Sequence, residues 1–310
     1  MARTLHIIAA CSDRKSEPAA VRLRDVRARS IEERFAKWRV ALSDAPAVRV
    51  DAENLYQGGY WTVVRGMPAI ATAMGWNAQL WAVSAGYGVV KSSKKLVPYS
   101  ATFARGHKDS VSTGTRNDLA STWWRCATSG KQRLGTSVRA IASSDPSATI
   151  LVIASPQYLQ AMEHDLSSSM REFSGKGSLF IVSSRVPATE TKLDRCWLPS
   201  RGALQAGLGG ALVSLHARTA RHLLATVSPQ DFVKEKLSAM TTKLEGIEQR
   251  KQRVSGSAMS DDEVLTFIKS RLASEPKLGH TRLLRELRES GKACEQGRFR
   301  DLFNQVKPTR

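Results

Sequence analysis

The chain has 310 residues, 42% of them hydrophobic, enough for a sizeable α/β body with a small appended domain and too apolar for a disordered chain. Lys and Arg number 47 against 28 Asp and Glu, a formal net charge of +19 that attracts polyanions and points to nucleic acid. No apolar run of about 18 residues spans a bilayer, and the first residues read into a core strand rather than a signal peptide. The four cysteines are dispersed as in a reducing compartment, so a cytoplasmic protein with no membrane partner is expected.

In chain order, residues 4–9 form an apolar run that ends at Cys11, Ser12, Asp13, Arg14 and Lys15, a strand leading into a polar loop. Residues 20–42 are arginine-rich, with Val26, Ile31, Phe35, Trp38 and Val40 at helical spacing, which predicts an exposed pair of basic helices. A further helix is predicted over residues 60–74. Residues 79–84 read as a strand ending on Ala85, Gly86, Tyr87 and Gly88, and residues 149–154 and 179–182 read as two more buried strands. Helices are expected at 156–164 and 210–224, so the fold class is α/β with a parallel central sheet flanked by helices.

A composition shift at Ser228 and Pro229 opens a charged helix expected to run to residue 253, followed by a flexible joint at 254–258. The chain is thereby divided into an α/β body at 1–228, a helical linker at 229–258 and a small all-α domain at 259–310. In that domain Ser260 and Glu263 have capping-box spacing, a helix over 280–289 is stopped by Ser290 and Gly291, and a third helix covers 295–306. Three helices with a glycine turn before the last have the layout of a helix-turn-helix DNA reader. In the last helix Phe299, Leu302, Phe303 and Val306 make an inward stripe and leave Arg298, Arg300 and Asn304 outward, side-chain types that read guanine and adenine edges. A plain helical bundle with a charged face is the other reading. Residues 261–310 hold 11 basic and 8 acidic side chains, so most of the positive charge lies before them. Arg14, Lys91, Lys94 and Lys95 are therefore candidate DNA contacts on the body.

Loops at the C-terminal ends of parallel strands carry the ligand sites of α/β proteins, so Cys11 and Ser84 are expected to converge on one pocket. A thiol in a cationic loop beside Arg14 and Lys15 is a candidate nucleophile, with Asp13 as an acid or base. Tyr60, Trp61 and Tyr87 have the chemistry to stack on an extruded base, and glycines such as Gly86 let a ligand approach the backbone. Plainer roles stand beside these: Cys11, Tyr60 and Trp61 as packing residues, and Gly86 to Gly88 as a turn. The cysteines and six histidines show no metal-ligand spacing, and nothing in the chain asks for a cofactor.

The same segments carry a resemblance. Cys11, Ser12 and Lys15; Ala52, Leu55, Tyr56, Gly58 and Tyr60; Ser84, Ala85, Tyr87 and Gly88; and Pro98 with Tyr99 follow one another as in the YaaA-like superfamily of DNA-binding proteins. Within it, the chain resembles the DpdC-type members of 7-deazaguanine DNA modification clusters. The match covers about the first third of the chain, and the C-terminal helical unit is an addition that YaaA lacks. The Cys11 and Lys15 pair is also similar to a motif of archaeosine synthase, where a lysine following a cysteine attacks a nitrile; there Pro-Tyr follows the lysine, and here Ser16 and Glu17 do.

The resemblance implies a YaaA-like central sheet and a reaction. That reaction is hydration of the nitrile of preQ0 (7-cyano-7-deazaguanine) in DNA to the carboxamide, with Cys11 or Lys15 as nucleophile and Asp13 or a tyrosine moving protons. Ser12, Tyr56, Tyr60, Ser84, Gly86, Tyr87 and Tyr99 would then hold the base, with double-stranded DNA and other proteins of a modification pathway as partners. A DNA-binding module without chemistry and a base-removing enzyme on the same scaffold are the alternatives.

Overall fold

Strand β1 (Arg3–Ala10) is apolar on both faces, with Leu5, Ile7, Ile8 and Ala9 fully buried, and this places it inside a sheet covered on both sides. In the computed structural model, which describes residues 2–112, 118–175, 177–187, 193–248, 257–276 and 278–306, five further strands join it. They are β2 (Trp76–Ser84), β3 (Gly88–Lys91), β4 (Thr149–Ile153), β5 (Ser178–Ser183) and β6 (Trp197–Pro199). Their order across the sheet is β6-β5-β4-β1-β2-β3. The chain thus builds outward from β1 on one side, then returns to β1's other side with β4. The order reverses between β1 and β4, and the space above their C-terminal ends is the switch point where α/β proteins bind ligands.

The expected parallel sheet holds for every pairing except β2 with β3, which are antiparallel, Ser84 opposite Gly88. The three residues between them are too few for a crossover, so only a hairpin can follow β2. Gly88 takes φ +73 to close it.

Two helix expectations are corrected. Residues 20–42 hold one helix, not a pair: Val21–Arg22 pairs with Tyr99–Ser100, Leu23–Asp25 is a single 3-10 turn, and the helix is Ile31–Asp44. The Arg24 amide is drawn away from helical bonding by Asp109, and Ser30 caps the helix by accepting from the Glu33 amide at 3.1 Å. Residues 60–74 form two helices, Gly59–Arg65 and Met67–Ala73, because Pro68 has no N–H to continue the first across Gly66.

The expected linker is also corrected. Helix Lys234–Glu248 begins later than Pro229 and packs on β6 and on helix Leu215–Thr226, inside a first compact unit that runs from Met1 to Gln249. Phe232 leads into it and is wedged edge-on against Trp76 and Phe180, at 5.4 and 5.3 Å between ring centroids. Residues 249–256, which include most of the expected joint, lie outside the described residues.

The second unit, Arg250–Arg310, has its own core of Val264, Ile268, Leu283, Leu287, Phe299 and Leu302. Its helices are Asp261–Ser274, His280–Glu289 and Gln296–Val306. The capping box forms, with the Ser260 amide donating to Glu263 at 2.7 Å and the Glu263 amide donating to Ser260 Oγ at 3.3 Å. A short parallel ladder, Ser257–Ala258 with Lys292–Ala293, joins the turn after the second helix to the start of the unit.

Candidate active site

The Cys11 amide donates to the Val83 carbonyl at 2.8 Å, which carries the β1–β2 pairing one residue past β1 and fixes the thiol at the rim of the switch point. Its Sγ lies 3.4 Å from the Tyr158 hydroxyl. Tyr158 arrives from the opposite side of the reversal, in the first turn of helix Pro156–Ser169, which follows β4 after only Ala154 and Ser155. Cys11 is partly exposed while Tyr158 is buried, so the thiol is the part of the pair that a ligand reaches first.

Tyr99 completes the cluster. Its hydroxyl is 3.8 Å from Cys11 Sγ, 2.9 Å from the Tyr56 hydroxyl and in contact with Ser84 Oγ. The direction of these bonds follows from counting lone pairs. Ser84 Oγ already accepts from the Gly86 amide at 3.0 Å and the Tyr87 amide at 3.2 Å, so its own proton goes to Tyr99. The Tyr99 O–H points at the Cys11 sulfur, so the bond to Tyr56 is donated by the Tyr56 hydroxyl and both lone pairs of the Tyr99 oxygen are used. Gly86 is required for this: a Cβ there would stand 2.5 Å from the Tyr99 ring.

Lys15 lies on the outer side of the same phenols, its Nζ 4.7 Å from the Tyr99 ring centroid and 6.0 Å from that of Tyr56. The ammonium donates to the carbonyls of Asp13 at 3.2 Å and Ser12 at 3.5 Å. The loop that carries it is clamped to residues 55–57: Ser16 donates to Leu55, Gln57 donates to Arg14, and the Gln57 amide also reaches Ser12 Oγ at 3.1 Å. Asp13 is exposed, its carboxylate 3.9 Å from His107 Nε2.

All five tyrosines of the chain belong to this region, and burial pushes every one of their hydroxyls up. For Tyr56, Tyr99 and Tyr158 burial comes first and the charge of the Cys11 thiolate form second, so these phenols stay protonated donors well beyond the usual range. Tyr87 is pushed up to about 12, again by burial.

Of the residues singled out from sequence, Cys11, Ser12, Lys15, Tyr56, Tyr60, Ser84, Gly86 and Tyr99 come together here, with Tyr60 donating to the Ile153 carbonyl at 3.2 Å. The stacking role expected of Tyr87 and Trp61 does not fit. Tyr87 is buried with its hydroxyl donating to the Val97 carbonyl and accepting from the Val97 amide, and Trp61 is fully buried with Nε1 donating to the Glu53 carbonyl. Arg14 is exposed at the rim. Lys91, Lys94 and Lys95 lie apart, at the outer edge of the sheet, with Lys95 paired to Asp51 at 3.4 Å.

In the second unit Arg298 is not the free reader expected: its guanidinium is tied to Asp261 and to the Met259 carbonyl, locking the last helix to the first. Arg300 and Asn304 remain exposed.

Sequence reasoning missed Tyr158. Its signal was the Ser155-Pro156 step directly after an apolar run, the mark of a helix starting at a strand's C-terminal end. It also missed Asp109, which is fully buried and takes a two-pronged bond from the Arg24 guanidinium at 2.9 and 2.6 Å, and so braces the segment that carries Tyr99. Among the described residues no group of three or more His, Cys, Asp or Glu is placed to hold a metal ion, and no helix is long and apolar enough to cross a membrane. No protein-family model matches the chain, and no curated protein matches it.

Proposed function

We propose that the chain is a DNA-modifying enzyme that hydrates the nitrile of a 7-cyano-7-deazaguanine base in DNA, with Cys11 as its nucleophile. The observation that carries this reading is the Cys11 thiol at the switch point, 3.4 Å from one buried phenol and 3.8 Å from another. A nitrile carbon is an electrophile suited to a thiol, and its nitrogen needs a proton as the carbon is attacked. The ordered run of motifs that resembles the YaaA-like superfamily supports the same substrate class.

In the proposed reaction the Cys11 sulfur bonds to the nitrile carbon, and the thiol proton passes to the nitrile nitrogen through the Tyr158 hydroxyl, which gives one proton and takes another. Water then adds across the carbon–nitrogen double bond of the thioimidate. Collapse of that tetrahedral carbon breaks the carbon–sulfur bond, returns a proton to Cys11 and leaves the carboxamide, so the net change is the gain of one water. Lys15 is the less suited nucleophile, since its Nζ is committed to two backbone carbonyls and the Tyr99 face. Its charge serves better to hold a phosphate beside the extruded base.

The test is to incubate the protein with duplex DNA containing the cyano base, digest to nucleosides and weigh them. Gain of one water on the deazaguanosine, lost in Cys11→Ala, supports the reading. An unchanged nucleoside despite tight binding overturns it in favour of a DNA-binding module without chemistry.

A further inference from the structure

The outer strand β3 carries a feature separate from Cys11. A sheet edge exposes unpaired backbone groups, and here a loop covers part of it: Val89 donates to Thr136 at 3.1 Å and Thr136 donates back at 2.8 Å. Gly135 makes the approach possible, since a Cβ there would stand 2.2 Å from the Tyr87 carbonyl oxygen and 2.6 Å from that of Val89. Between this loop and the turn after β3 lies a groove of about 460 Å3, whose polar lining is Lys91, Ser93, Lys94, Arg133 and Thr136.

No carboxylate lines the groove. Arg133 is exposed and has no hydrogen bond or ion pair among the described residues. Lys91 is exposed with its Nζ over the Trp81 ring at 5.5 Å, and no acidic side chain pairs with it among the described residues. Lys94 has a different part, donating to the Leu134 carbonyl and strapping the loop down. Two cations that line one groove, with no counter-charge among the described residues, form a site for an anion.

We infer that this groove holds the backbone phosphates of a DNA strand, with Lys91 and Arg133 as the two phosphate contacts and the Ser93 and Thr136 hydroxyls as added donors. The inference rests on the DNA reading above and deepens it. Lys91 is opposite Trp81, which is opposite Ile8, so the groove lies two strands across and three residues back from Cys11. That is a span of about 15 Å from strand spacing and rise, or about four base-pair steps. A strand held there brings a nearby base, rather than the contacted one, to the thiol.

The test uses the full chain and an unmodified fluorescent duplex, with binding followed by anisotropy across a salt series. Lys91→Gln and Arg133→Gln are each expected to lower the slope of log K against log salt by about 0.9, and the double variant by about twice that. Affinity at low salt should fall several-fold in each, with unchanged thermal melting. Lys243→Gln, on the helix at the opposite edge of the sheet, is the control for net charge.

An unchanged slope in the double variant, or an equal change in Lys243→Gln, overturns the inference. So does loss of pyrophosphate binding with DNA binding intact, which would make the groove a small-anion site. The duplex carries no nitrile, so failure of the hydration chemistry leaves this result untouched, while unchanged slopes remove the groove and leave the chemistry standing. A wild-type protein that binds no DNA would overturn both.

Discussion

The thiol of Cys11 and the hydroxyl of Tyr158 lie 3.4 Å apart although 147 residues separate them in the chain. The sheet brings them together. β1 and β4 are parallel neighbours with Ala9 opposite Ile153, so whatever follows each strand emerges at the same rim. On β1 that is a loop, and on β4 it is the first turn of a helix.

If the pair acts as proposed, the two residues separate cleanly by substitution. Cys11→Ala should abolish nitrile hydration with DNA affinity kept. Tyr158→Phe keeps the ring and removes the proton carrier, and should slow single turnover by about 10²- to 10⁴-fold. Full turnover in Tyr158→Phe, measured by mass of the digested nucleosides, would remove that residue from the mechanism.

The buried phenols make stability sensitive to alkali. Tyr56, Tyr99 and Tyr158 are raised well above the ordinary tyrosine value and Tyr87 to about 12, all by burial first. A raised folded value favours the protonated form, so this contribution is whole below the unfolded tyrosine value of about 10 and is lost as pH climbs past it. Tyrosinate absorbance should be almost absent from the native protein at pH 10.5, a value chosen to lie about half a unit above that reference. It should appear for all five tyrosines together on unfolding. Ordinary titration near pH 10 in the folded protein would show that the phenols are not enclosed as described.

Gly86→Ala should destabilise the protein by about 1–3 kcal/mol, the usual cost of forcing extra volume into a packed core. The added methyl would meet the Tyr99 ring at 2.5 Å, and the ring can yield only by leaving Ser84 and Cys11. Reactivity of Cys11 toward a small alkylating probe should change in the same variant. An unaltered melting temperature and alkylation rate would mean that Tyr99 is not seated over the turn.

Asp109 offers an acid-side test. Burial alone would raise its carboxyl, but the Arg24 guanidinium, the Arg24 amide and the Ser100 hydroxyl hold it well below the usual carboxylate range. A depressed folded value contributes stability above the unfolded value of about 3.9, lost as pH falls below it. Asp109→Ala should cost about 1–3 kcal/mol at neutral pH by leaving its buried donors unpaired, read from urea midpoints, and the gap to wild type should narrow toward pH 2, below that carboxylate reference. A gap that does not change with pH would show that the charge of Asp109 adds nothing to its packing.

The central strands were legible because burial on both faces writes continuous apolar runs, as at residues 149–153 and 178–183. Cys11 and Ser84 were legible as a pair for the same reason, since each directly follows or ends such a run. What the sequence concealed was decided by long-range partners. The helix expected before Ile31 is displaced by the Arg24–Asp109 bond, made across 85 residues, and no local spacing reports it. Tyr87 looked available because its glycine neighbours suggest an open turn, yet its hydroxyl is taken by Val97. Arg298 looked outward by helical period, and it is outward, but Asp261 holds it there.

The position of helix Lys234–Glu248 bears on how the protein can be divided. A charged run after Pro229 invites a cut at residue 228, which would leave the first fragment without Phe232 and Leu237, both almost wholly enclosed in its interior. That fragment would present a raw apolar socket around Trp76 and Phe180 and an uncovered β6, and it should aggregate. Separation within residues 249–256 keeps each apolar cluster whole, so each of the two units should stay folded when prepared and assayed without the other.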